Sequence, residues 1–342
     1  MSQELSPIAA PLLNWYRQHK RELPWRRDRE PYHVWISEIM LQQTRIEAVM
    51  GYYARFIAAL PDVQSLSEVD NDALMKLWEG LGYYSRARNL KKAAVMIMQE
   101  YNGEFPKTCH ELKKLPGIGE YTAGAIASIC FDEKVPAVDG NVLRVIARVQ
   151  GSRKNVLLPE VKKSVAGQLS RIMPDEAGAF NEALMELGEL VCLPNGAPLC
   201  ESCPLKEHCT AYQKDLTAEI PVRIKAVKRR RADLSVFIIT TPDGKLALEK
   251  RPDTGLLAGM YQLPNTDGFH SDKALYPILR AMEIEPISVE FFKDAKHVFT
   301  HIDWYMKAYR VEADHTNDRF IWSTEEELTS SYPLPAAFQK LL

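Results

Sequence analysis

Apolar residues recur at helical spacing through His33–Leu60 (Val34, Ile36, Ile39, Met40, Ile46, Val49, Met50, Tyr53, Phe56, Ile57) and again through Ala73–Met98. Alternation of β-branched residues is scarce up to about residue 212, and Pro and Gly cluster at Pro61-Asp62, Gly80, Gly103–Pro106, Pro116–Gly119, Val135–Gly140 and Leu193–Pro198. The pattern predicts an all-α domain over residues 1–212, broken into short helices at those points. Beyond residue 231 the period changes. Leu234–Thr241 is β-rich, Pro242-Asp243-Gly244 is a turn, and Lys245–Lys250 is strand-like, which together predict a hairpin. A helix is expected over Lys273–Met282 and a long strand-like stretch over Lys296–Glu312, so residues 232–342 read as an α+β domain.

Composition bounds the picture. The chain has 342 residues and is 46% hydrophobic, enough for two domains with separate cores. The first residues show no charged region leading into an apolar one, and no later window holds eighteen uncharged apolar residues, so a cytoplasmic chain with no membrane partner is expected. The net charge of −2 excludes any argument for nucleic acid from overall charge. Locally the picture differs: from Lys214 to Arg231 there are seven basic residues against two acids. That run, within a linker over 213–231, reads equally as a solvated connector or as a strip that contacts phosphates.

Four of the six cysteines, Cys192, Cys200, Cys203 and Cys209, fall in eighteen residues with the spacing C-x7-C-x2-C-x5-C. In a cytoplasmic chain such crowding points to metal rather than disulfides, but the spacing does not choose between zinc and a [4Fe–4S] cluster. Leu115-Pro116-Gly117-Ile118-Gly119, followed by a small-residue helix, lets backbone N–H groups face an anion; a bare G-x-G is also an ordinary tight turn between helices. Glu38 lies in a mostly apolar helical segment that would desolvate its carboxyl and raise its pKa. Asp139, before Gly140 at the start of a helix, reads on pattern alone as an N-cap.

Taken together, LPWR (Leu23–Arg26), VWISEIMLQQT (Val34–Thr44), GLGYYSRARNL (Gly80–Leu90), LPGIGEYTAGAI (Leu115–Ile126), VDGNVLRV (Val138–Val145) and FNEALMELG (Phe180–Gly188) resemble the MutY family of adenine DNA glycosylases in the endonuclease III, or helix–hairpin–helix, superfamily. The blocks span most of residues 23–209 in order. The resemblance implies a helical catalytic domain whose hairpin, with Gly117 and Gly119, grips the DNA backbone. It decides the cysteines for a [4Fe–4S] cluster, although the family's first gap is usually six residues and here it is seven. It implies that Glu38 protonates the adenine ring, that Asp139 stabilises the sugar cation with support from Asn141, and that Trp25, Arg26 and Glu182 line the pocket for the extruded base. Gln43 and Tyr83 occupy the positions that wedge into the gap left in the base stack. Tyr121 stands where strand-cleaving relatives have a Schiff-base lysine, so base removal without efficient strand cleavage is expected.

Arg251–Pro264 and His297–His301 resemble the MutT-like (Nudix-like) C-terminal domain of the same family, in which Phe299, Thr300 and His301 would read the oxidised guanine. Thr300 replaces the family's usual serine and keeps the hydroxyl. A hydrolytic Nudix enzyme needs an R-E-x-x-E-E helix for magnesium, and the corresponding helix, Ala274–Met282, contains no carboxylate. The expected partner is double-stranded DNA with adenine opposite 8-oxoguanine or guanine, and a monomer associated with the nucleoid is expected. The alternatives are another helix–hairpin–helix mismatch or oxidised-base glycosylase with lyase activity, and a damage-binding protein without catalysis.

Overall fold

The computed structural model describes residues 5–224 and 229–342; Lys225 and Lys228 of the basic run lie outside the described residues. The helices are α1 (Ala9–His19), α2 (Pro31–Leu41), α3 (Ile46–Ala59), α4 (Val63–Glu68), α5 (Asn71–Leu77), α6 (Ser85–Glu100), α7 (Cys109–Leu112), α8 (Glu120–Phe131), α9 (Gly140–Gln150), α10 (Pro159–Ser170), α11 (Ala177–Leu190) and α12 (Thr210–Gln213). Then come β1 (Arg230–Thr240), β2 (Leu246–Lys250), β3 (Tyr261–Gln262), β4 (Asn265–Asp267), α13 (Asp272–Ala281), β5 (Pro286–Val298), β6 (Ile302–Ala313), β7 (Ile321–Ser323), α14 (Glu325–Ser330) and α15 (Ala336–Gln339). The chain forms two compact units, one from residues 1–68 and 89–225, the other from 69–88 and 226–342. No helix among the described residues is long and apolar enough to cross a membrane.

In the helical unit, α9 and α11 pack together through Val142, Ile146, Phe180, Leu184 and Leu187, with Leu12 of α1 against them. Close approach here depends on glycine. A Cβ on Gly178 of α11 would lie 2.8 Å from the backbone of α8, and one on Gly124 of α8 would lie 2.6 Å from the Pro136 carbonyl oxygen. The long apolar stretch over His33–Leu60 is two helices, not one: α2 ends at Leu41 and α3 begins at Ile46. No Pro or Gly marks that break. Gln43 makes it by adopting a left-handed backbone, φ 61°.

The second unit is built on a seven-stranded sheet whose central path is β3-β2-β1-β6-β5. β1 and β2 form the expected antiparallel hairpin, with Thr240 opposite Leu246 and the turn closed by Gly244 at φ 82°. β1 runs parallel to β6 over eleven residue pairs. The stretch over Lys296–Glu312 is corrected: it is not one strand but the end of β5 and most of β6, folded back antiparallel at Phe299–His301. Its aromatic and β-branched composition is common to both strands, so periodicity carries no sign of the reversal. Each face of the sheet has its own core, Val236, Met306 and Phe338 on one and Phe237, Leu279 and Val311 on the other.

Candidate active site and cysteine loop

Helix α2 is buried along almost its whole length, from Tyr32 to Met40, and carries Glu38 into the interior. Glu38 is 7% exposed. Burial pushes its carboxyl up to about 7, a hydrogen bond from Tyr121 opposes the shift, and the negative charge of Asp139 adds to it. Its Oε2 has no hydrogen-bond partner in the protein. The Tyr121 hydroxyl lies against both the Glu38 carboxyl and Met185 Sδ, the latter at 3.0 Å. One phenolic proton serves one acceptor at a time. A protonated Glu38 can donate to the phenol oxygen while the phenol donates to sulfur, and an ionised Glu38 takes the phenol proton instead.

Asp139 is the N-cap of α9. Its Oδ1 accepts from the Val142 N–H at 2.7 Å and its Oδ2 from Asn141 Nδ2 at 3.0 Å. Burial raises its pKa and the hydrogen bonds from Val142 and Asn141 work against that. The capping geometry and an inward-facing carboxylate therefore coexist in one residue. Asn141 also donates to Glu189 at 2.9 Å and accepts from Arg144 at 2.7 Å. The turn that presents Asp139 is anchored from behind by Asn181, fully buried, which accepts from the Ala137 N–H and donates to the Val135 carbonyl and to Ser128 Oγ.

Glu38, Asp139, Tyr121 and Asn141 line one cavity of about 1240 Å3, together with Trp25, Arg26, Gln43, Glu182, Gly117 and Gly119. Ten of the residues singled out in the sequence thus share one space in the helical unit. Gly117 has φ 80°, and a Cβ there would strike Asn89 at 2.7 Å, so the turn admits only glycine. Gly119 is the N-cap of α8 and supplies no side-chain cap to that helix terminus. Trp25 is buried and packs edge-on against Tyr53 with ring centroids 5.3 Å apart.

Sequence reasoning missed the carboxylate that organises this wall. Glu186, 1% exposed, takes Arg21 through both carboxylate oxygens at 2.8 and 2.9 Å and Arg26 at 2.9 Å. Burial opposes ionisation, but these hydrogen bonds outweigh it and hold the carboxyl down at about 2. Arg26 in turn pairs with Glu182 at 3.2 Å. Glu182, Met185, Glu186 and Glu189 stand on one face of α11 and all line the cavity; that shared face follows from helical spacing, but the arginine partners that single out Glu186 do not.

Tyr83, Phe299, Thr300 and His301 belong to the second unit and line a different cavity, of about 670 Å3. Thr300 Oγ1 lies 3.2 Å from the Tyr83 hydroxyl. Tyr83 is exposed and, like Gln43, has a left-handed backbone, φ 48°.

The segment matching a family model for "HhH-GPD superfamily base excision DNA repair protein" is residues 36–172, and residues 235–342 match a NUDIX domain. The chain is 34% identical to the adenine DNA glycosylase of Mus musculus, over 91% of this chain and 72% of that protein. It is 33% identical to the one from Buchnera aphidicola subsp. Baizongia pistaciae, over 91% of this chain and 89% of that one. The chain belongs to the adenine DNA glycosylase (MutY) family. Among solved structures, a thermostable thymine-DNA glycosylase matches with a TM-score of 0.55 and 27% identity over 60% of this chain and 95% of that one. A trapped endonuclease III–DNA covalent intermediate matches with 0.52 and 27% over 61% and 96%. The protein is therefore a DNA glycosylase of base-excision repair that binds DNA, with a helix–hairpin–helix domain and a Nudix-like domain.

The resemblance carried by the cysteine spacing implies an iron–sulfur cluster. Here Cys192, Cys200, Cys203 and Cys209 line one small cavity with Arg148 and Lys206. Arg148 Nη1 donates to Cys192 Sγ at 3.2 Å, and no carboxylate lines that space. Burial raises the thiols of Cys200, Cys203 and Cys209, Cys203 to about 12, so a cationic group is what would hold them as thiolates. Among the described residues no three His, Cys, Asp or Glu are gathered as a ready site for a single metal ion. An all-sulfur donor set beside a buried arginine fits an iron–sulfur cluster.

Proposed function

We propose that the enzyme removes adenine paired with 8-oxoguanine or guanine from duplex DNA, without efficient strand cleavage, and that Glu38 and Asp139 carry the chemistry. The observation that supports this most is their shared cavity, in which one carboxyl is held protonated near neutral pH and the other is braced by hydrogen bonds. An adenine in the duplex cannot reach such a space unless it leaves the stack. Once it is extruded, Glu38 gives its proton to a ring nitrogen as the bond from the sugar to the base breaks and the electron pair departs with the purine. Asp139 faces the cation that develops on the sugar, either as a counter-charge or through a transient bond. Water then adds to the sugar carbon, and its proton returns to a carboxylate.

Asn141 and its Glu189 and Arg144 contacts hold Asp139 in place. Trp25, Arg26 and Glu182 form the wall against the base, and Gly117 and Gly119 offer backbone N–H groups to a phosphate. Tyr121 supplies no amine for a Schiff base, so the sugar product keeps its strand intact. Gln43 and Tyr83 fill the vacated stack, each presented by a left-handed backbone that strains any residue but glycine, a cost of the kind concentrated at working sites. Residues 1–212 carry out catalysis, 213–231 link, and in 232–342 the Phe299–His301 turn reads the oxidised guanine, Thr300 supplying a hydroxyl. Cys192, Cys200, Cys203 and Cys209 hold a [4Fe–4S] cluster that staples the end of the helical unit.

The test is a duplex with one adenine opposite 8-oxoguanine, incubated with enzyme and analysed with and without alkali. Strand breaks that appear only after alkali are expected. Breaks without alkali overturn the monofunctional reading, and intact strands after alkali overturn the choice of substrate.

A further inference from the structure

The basic run at residues 214–231 is the one sequence feature that glycosylase chemistry leaves unused, and its last three residues have a defined place. Arg229, Arg230 and Arg231 lead into β1 and are exposed. The Arg230 N–H donates to the His301 carbonyl at 3.0 Å, with Arg230 opposite Ile302 and Arg231 opposite Asp303 in the parallel β1–β6 pair. The end of the run therefore borders the Phe299–His301 turn. Two lysines join it there: Lys296 near the end of β5, and Lys340, whose ammonium donates to the Lys296 carbonyl.

Against these five cations the structure sets two contacted carboxylates. Asp303 is shared by Lys296 at 3.0 Å and Arg229 at 3.8 Å, and Asp233 meets Arg231 at 2.7 Å. Among the described residues neither Arg230 nor Lys340 has a carboxylate partner. Arg231 and Lys296, besides their carboxylates, both lie over the Tyr305 ring, 4.3 and 4.7 Å from its centroid, which fixes where the two cations sit. Partial burial and the neighbouring Lys293 both hold the Lys340 ammonium below the usual lysine range. Excess positive charge gathered at one end of a sheet, in a chain of net charge −2, calls for a polyanion.

We infer that Arg229, Arg230, Arg231, Lys296 and Lys340 form a phosphate-binding collar around the base of the Phe299–His301 turn and take the sugar–phosphate backbone of duplex DNA. The collar grips any sequence and so presents each base in turn to the loop. Which strand it holds rests on the reading of that loop proposed above; phosphate binding itself does not.

The experiment is an equilibrium titration of the full chain with duplexes carrying cytosine opposite 8-oxoguanine or opposite guanine, which offer no adenine to excise, between 50 and 200 mM salt. Each phosphate contact contributes a slope of roughly 0.9 to log affinity against log salt. The variant Arg229→Gln/Arg230→Gln/Lys340→Gln is expected to flatten the slope by about 2 to 3 on both duplexes. The charge-conserving Arg229→Lys/Arg230→Lys should retain it, as should Lys273→Gln/Arg319→Gln, placed around α13. An unchanged slope in the triple variant, or equal flattening in either comparison variant, overturns the collar. A wild-type chain that binds both duplexes alike removes the proposed reading of 8-oxoguanine and leaves the collar to be decided by the slope.

Discussion

The cavity of the helical unit and the turn of the sheet unit solve opposite problems with the same few residue types. In the cavity, Glu38 is buried with one oxygen unpartnered, and the Glu186 carboxylate is held ionised by two arginines in a space equally sheltered from water. At the turn, Thr300 and His301 are exposed, and the one hydroxyl contact, Thr300 with Tyr83, is within easy reach of solvent. Burial is what shifts a carboxyl toward neutrality, and it is what a group meant to test a passing base cannot have. The difference teaches that packing sets the protonation of Glu38, whereas a backbone reversal leaves Thr300 and His301 open to solvent.

The largest effect that separates the two regions is expected at Glu38. Glu38→Gln should lower the single-turnover rate of excision on the order of 10³-fold, within the usual range for a lost general acid, with duplex affinity nearly unchanged. A parallel loss of binding would mean that Glu38 is structural. The acid must be protonated, so in wild type the rate should fall as pH rises through about 7. Tyr121→Phe removes a hydrogen bond that lowers the Glu38 pKa, and should move this limb to higher pH; a shift the other way breaks the assignment. Stability follows from the same numbers. A carboxyl at about 7 in the fold and near its ordinary 4.5 when unfolded favours the native state below pH 4.5, and that contribution is lost as pH rises to 7. Glu38→Gln should therefore melt higher than wild type at pH 7.5, by an amount on the order of 2 kcal/mol.

Next in size is Asn181, which has no counterpart at the turn. It is fully buried and fastens the segment that carries Asp139 to α8 by three hydrogen bonds. Asn181→Ala leaves the Ala137 N–H and the Val135 carbonyl without this partner, and takes from Ser128 Oγ the bond it accepts while its own bond to the Ala125 carbonyl remains, at a cost of about 3 kcal/mol in denaturant unfolding. A loss below about 1 kcal/mol would show that the Asp139 turn holds itself.

How much of this was legible in the sequence follows the same division. The apolar run around Glu38 announces its burial, and the change of period after residue 231 announces the sheet. The four cysteines line one small cavity, though among the described residues no three of them form a group that could hold a metal ion. Three features were not legible. The break between α2 and α3 has no Pro or Gly because Gln43 makes it with a left-handed backbone. The reversal at Phe299–His301 has no turn residue because the bend joins two strands of the same composition. Glu186 looks like any carboxylate on a helix in the sequence, because its partners Arg21 and Arg26 lie about 160 positions away and only the fold brings them near.

The smallest expected effect is at Thr300, and it sharpens the comparison most. Its hydroxyl is exposed and makes one hydrogen bond, so Thr300→Ala should leave melting temperature and the excision rate at saturating enzyme near wild type. If the turn reads the base opposite adenine, the loss falls on discrimination: the preference for 8-oxoguanine over guanine, measured as a ratio of binding constants, should drop about fivefold to tenfold, the worth of roughly 1 kcal/mol for one hydrogen bond. Thr300→Ser keeps the hydroxyl and should restore the ratio. Were both variants to lose the preference equally, the threonine methyl group and its packing would carry recognition, and the turn would act through shape rather than through a hydrogen bond.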